Sequence, residues 1–82
     1  MGYWEITAHS PYIKISTSRD GGHKAEYIIG RGLTQKVGYV NTRSMVVSCT
    51  DAGGNPNSAN GCAFTVNGNF YNKSTRFERG VN

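Results

Sequence analysis

Apolar residues along this chain recur at every second position more often than at helical spacing. From Tyr3 to Ala8, Trp4, Ile6 and Ala8 fall on one face and Tyr3, Glu5 and Thr7 on the other, the alternation of a half-buried strand. His9, Ser10 and Pro11 break the pattern. It resumes from Tyr12 to Thr17, where Ile13 and Ile15 oppose Lys14 and Ser16. Asp20, Gly21 and Gly22 then tolerate the positive φ of a tight hairpin turn. The returning segment, His23 to Ile29, sets Ala25, Tyr27 and Ile29 against Lys24 and Glu26, so these two strands are expected to pair antiparallel.

Between Gly30 and Arg43 the pattern weakens. Leu33, Val37 and Val40 have helical spacing, but Gly30, Gly32 and Gly38 would each cost about 1 kcal/mol inside a helix. Val37, Tyr39 and Asn41 fit a strand, so a loop followed by a strand is expected. Ser44 to Thr50 contains Met45, Val46 and Val47 and reads as a buried strand. Asp51 to Gly61 is almost wholly Gly, Asn, Ser, Ala and Pro, which makes it a loop. Asn67 and Gly68, between Phe64–Thr65–Val66 and Phe70–Tyr71, are the strongest hairpin signal in the chain. Cys62 to Val66 and Asn69 to Thr75 should therefore pair, with Thr75 to Arg79 extending the last strand or fraying. The sum is an all-β single domain over residues 1–82, a small antiparallel β-sandwich or barrel of six to seven short strands.

Composition narrows the class. With 82 residues the core is thin, and 17% charged residues is well below the roughly 25% of an average soluble domain. No stretch approaches the ~20 apolar residues of a spanning helix, so no membrane partner is expected. Cys49 and Cys62 flank the turn-rich loop and suit a disulfide, which would staple a domain short of core. Ser, Thr, Asn, Gly and Tyr replace charge, and Asn72–Lys73–Ser74 forms a glycosylation acceptor pattern. These features point to a secreted or extracellular mature form, the first residues lacking the charged and apolar regions of a signal peptide.

Candidate chemistry is sparse. Cys49, Cys62, His9 and His23 lack the close paired spacings of structural zinc sites, so no metal site is expected. Five carboxylates, with Asp20 assigned to a turn, leave little for acid–base work in a domain this small. Gly30–Arg31–Gly32 lacks the strand-to-helix context and lysine of a phosphate loop and reads as a turn. No catalytic residue, cofactor or enzymatic activity is expected.

Charge is the most usable functional feature. The net charge is +4, which favours acidic partners. Lys14 and Lys24 on one face of the first hairpin would make a basic patch, and with Tyr12 and Tyr27 they are the candidate binding surface. The Asp51–Gly61 loop is the alternative, since Asn and Ser side chains adapt to a partner. Tyr12, Tyr27 and Tyr71 beside Lys14, Lys24 and Lys73 also suit single-stranded nucleic acid on a small barrel, although no motif of a known module is present. The expected function is a non-enzymatic binding module, secreted and effector- or inhibitor-like, as in virulence, gripping a host or target protein by a sheet face, edge strand or loop. The alternatives are a single-stranded nucleic-acid-binding barrel and an intracellular viral inhibitor of a host defence protein. A monomer is expected ahead of a homodimer formed by edge pairing.

Overall fold

The computed structural model describes residues 2–19 and 22–79. Eight strands form among them: β1 (Tyr3–Ala8), β2 (Tyr12–Arg19), β3 (Lys24–Gly30), β4 (Thr34–Gly38), β5 (Thr42–Cys49), β6 (Phe64–Val66), β7 (Asn69–Tyr71) and β8 (Thr75–Glu78). They make two antiparallel four-stranded sheets, ordered β4-β1-β6-β7 and β3-β2-β5-β8. The fold is a β-sandwich, one or two strands richer than the alternation in the sequence suggests. Among the described residues no helix is long and apolar enough to cross a membrane.

Alternation decides what lies between the sheets. Trp4, Ile6, Ala8, Val37, Phe64 and Val66 face inward from one sheet, and Ile13, Ile15, Ile29, Met45 and Val47 from the other. Phe64, Ile6, Ile13, Ile15, Met45 and Val47 are fully buried, each side chain stabilising by roughly 1.5–3 kcal/mol relative to exposure. Tyr71 joins the layers at one end: it stacks on Phe64 at 5.5 Å and meets the edge of Phe77 at 5.0 Å. At the other end Trp4 contacts Tyr39 at 4.8 Å.

The turns follow local chemistry. Asn67 and Gly68 both have positive φ, 50° and 85°, the requirement of a type I′ hairpin. Asn67 also accepts a 2.7 Å hydrogen bond from the Glu5 amide through Oδ1. Gly30–Arg31–Gly32–Leu33 is the expected turn, with Gly32 at φ 84° and the Leu33 amide donating to the Gly30 carbonyl at 3.1 Å. Asp20 and Gly21 lie outside the described residues, but the Arg19 amide donates to the His23 carbonyl at 2.7 Å and β2 pairs with β3 throughout.

β2, β3 and β5 shift by only one or two residues at their ends, and three further differences from expectation concern other strands. The strand after Gly32 is Thr34–Gly38, and Tyr39 to Asn41 form the following turn; as an edge strand it inserts only Val37 into the core, so its alternation is weak. The strand after the long loop starts at Phe64, since Cys62 and Ala63 belong to the crossing between sheets. Thr75–Glu78 does not extend β7: the chain leaves the first sheet at Asn72 and pairs with β5 in the second. From there Phe77, opposite Met45, packs against the core.

Cys49 and Cys62 form a disulfide, with Cα atoms 5.1 Å apart. The strands they flank are not neighbours. Cys49 ends β5 in one sheet and Cys62 precedes β6 in the other, so the bridge joins the two layers.

A loop-lined cleft as the candidate functional site

The outer face of the β3-β2-β5-β8 sheet can be read from its register. Opposed residues share a face, so Lys24, Ser18, Ser44 and Glu78 form one row across the sheet and Glu26, Ser16, Val46 and Arg76 the next. Charge sits at the two edges, and the centre is a small-side-chain floor. A shallow groove of 250 Å³ lies over it, lined by Ser16, Ser18, Lys24, Ser44, Val46 and Arg76 among others.

A larger cleft of 690 Å³ opens beside this floor. One wall is the loop after β5, with Gly54, Pro56, Asn57 and Ser58; the other is the Asn72–Ser74 crossing, and Lys14, Ser48 and the Cys49–Cys62 bridge form the base. The volume suits a small ligand or a few side chains of a larger partner.

Internal bonds hold the loop wall. Asp51 Oδ1 accepts hydrogen bonds from the amides of Gly53 and Asn55, both at 2.9 Å. These, the Asn55 amide first, keep its carboxyl below the ordinary value. Thr50 Oγ1 donates to the Asn55 carbonyl at 2.8 Å, and the Asn57 amide to the Cys49 carbonyl at 3.1 Å. Gly54 has φ 87°, and a Cβ there would come within 3.1 Å of Ile28 Cδ1, so the loop tip rests on β3.

The expected binding residues do not act as one group. Lys14 enters the cleft, half-buried, with Nζ 3.3 Å from the Gly54 carbonyl and 3.4 Å from Glu26. Lys24 shares its face, but Glu26 lies between them in the register and offsets the charge. A basic patch on this hairpin is therefore not supported. Tyr12 is exposed on the same face at the end of β2, whereas Tyr27 opposes Ile15 on the core side and overhangs the sheet margin. Alternation alone separates Tyr27 from the other three. Asn72, Lys73 and Ser74 line the cleft; the sequence marks Asn72 and Ser74 only as a glycosylation pattern and Lys73 only as a cation beside Tyr71 for nucleic acid, and it is the crossing between sheets that brings all three opposite the loop.

The cleft wall offers hydroxyls, amides and ammonium groups, and among the described residues no imidazole, free thiol, carboxylate or aromatic ring lines it. Lys73 has no ion-pair partner among the described residues. No protein-family model, no curated protein and no solved structure matches this chain.

Proposed function

We propose that this protein is a non-enzymatic binding module that works in an oxidising, extracellular setting and recognises a target protein through the loop-lined cleft. The observation behind this reading is the cleft itself: a concave surface built from a braced loop and a disulfide, set with hydroxyls and amides and with Lys73, which has no ion-pair partner among the described residues, while Lys14 is paired with Glu26. A partner presenting an acidic side chain amid hydrogen-bonding groups matches that wall. An effector- or inhibitor-like role belongs to the same proposal. The disulfide supports the compartment, because such bonds persist in secreted proteins and are rare in the cytosol.

Protein recognition is favoured over single-stranded nucleic acid by one feature. Strand binding without sequence preference needs aromatic platforms beside the cations, and Tyr12 and Tyr27 diverge to opposite faces while the cleft has no ring.

The test is affinity capture with the immobilised protein from extracellular fluids of candidate target tissues, compared with Lys73→Glu and Ser58→Tyr, which reverse a cleft charge and fill the cleft. A protein retained by the wild type and by Lys36→Glu on the other sheet, but lost with both cleft variants, supports the reading. Capture that the cleft variants leave intact, or that nuclease abolishes, overturns it.

A further inference from the structure

The free margin of the sheet points to a partner of another kind, independent of the cleft. In an antiparallel pair, alternate residues direct their main-chain N–H and C=O groups toward the neighbour. The Arg19–His23 hydrogen bond fixes the phase, so Thr17–Ala25, Ile15–Tyr27 and Ile13–Ile29 are the bonded pairs of β2 and β3. The Tyr12–Thr50 bond gives the same phase from the other side of β2. Lys24, Glu26 and Ile28 consequently present their main-chain groups outward, on the longest margin strand of the molecule. β3 contains no Pro and pairs with β2 without a bulge, and the loop tip that rests on it does so at Ile28, beyond Lys24–Glu26.

We infer that β3 pairs antiparallel with β3 of a second copy of this chain, about a two-fold axis at Ala25. That register places Lys24 of each copy opposite Glu26 of the other, and Ala25 opposite its own equivalent at the centre. It is charge-complementary twice over, and about four main-chain hydrogen bonds close across it. Centring on Glu26 would oppose two carboxylates. Tyr27, 40% exposed, falls opposite His23 of the other copy, so the pairing covers an overhanging ring. A two-fold pairing closes on itself and leaves no margin of this strand free.

Two rival pairings use β8. Arg76 could oppose Glu78 of a second copy about a two-fold axis at Phe77, or Arg76 and Glu78 could oppose Glu26 and Lys24 of another copy in an open chain of molecules. Both are disfavoured because the two charges of β8 are already paired with each other, Arg76 Nε to Glu78 at 2.9 Å, whereas in β3 Glu26 alone has a partner among the described residues, Lys14 at 3.4 Å, and because β8 has four residues against seven in β3. Lys24, by contrast, is exposed and without an ion-pair partner among the described residues.

Charge reversal with sedimentation velocity over a concentration series tests this. The wild type should associate to a dimer, and Lys24→Glu should weaken it by about tenfold or more. In a Lys14→Gln background, where no lysine faces position 26 within the molecule, the double variant Lys24→Glu with Glu26→Lys should restore it, because the intermolecular pairs are then exchanged. Glu26→Pro should give a monomer with unchanged secondary structure, since the Glu26 N–H is not used within the molecule. As an independent check, Ala25→Cys should form an intermolecular disulfide on air oxidation. A wild type that stays monomeric at every concentration overturns the inference. A double variant that remains dissociated assigns the contact to β3 against β8 and overturns it equally, as does an association that no β3 variant alters.

Discussion

Asp51 shows how one side chain can hold a binding wall without touching a ligand. Its carboxylate accepts from the Gly53 and Asn55 amides, and charged acceptors make stronger hydrogen bonds than neutral ones. Its folded-state pKa lies below the ordinary 3.8, so its stabilisation is present above that value and is lost as pH falls through the folded one. Protection of the Gly53 and Asn55 amides, taken relative to their intrinsic exchange rates, should therefore fall below about pH 4. Asp51→Asn, which keeps an acceptor oxygen, should remove that acid dependence, and unchanged protection of the wild type at low pH would contradict the assignment. Asn67 plays a comparable part at the opposite hairpin, combining positive φ with a side-chain bond to Glu5. Asn67→Ala should cost about 1–2 kcal/mol in urea unfolding, from left-handed strain and the lost bond; Asn67→Gly should cost less.

Elements were legible where local chemistry and tertiary need agree. β1 and β2 alternate cleanly because each contributes a full inward row, and the β6–β7 hairpin is written in Asn67 and Gly68. β4 was obscured because an edge strand buries one residue, Val37, and its neighbours give no periodicity. β8 was obscured because nothing in Asn72–Lys73–Ser74 announces the change of sheet that sets Phe77 beside Tyr71. The cleft was half legible. Its loop wall could be named from composition, but the wall opposite depends on that same crossing. Phe64 is where these elements converge, fully buried between β1 and Tyr71. Phe64→Ala should destabilise by about 3–5 kcal/mol, enough to abolish cooperative thermal unfolding in so thin a domain, whereas Phe64→Leu should retain a measurable transition.

At the scale of the whole molecule, two small sheets share one core and the Cys49–Cys62 bridge supplies what that core lacks. Closing a loop of this length restricts the unfolded chain by roughly 3 kcal/mol on the chain-entropy argument. For a domain of this size, reduction should lower Tm by roughly 10–25 °C. Calorimetry with and without reductant checks this, and an unchanged Tm in fully reduced protein would refute a stabilising role. The bridge also makes the cleft's loop wall a closed ring, since the cysteines bracket the whole segment from Thr50 to Gly61. A protease cutting that exposed segment would leave both fragments covalently joined, each still contributing strands to both sheets. Cleaved protein would then migrate intact until reduced, and the recognition loop could be opened or lengthened at its tip without releasing either half of the fold.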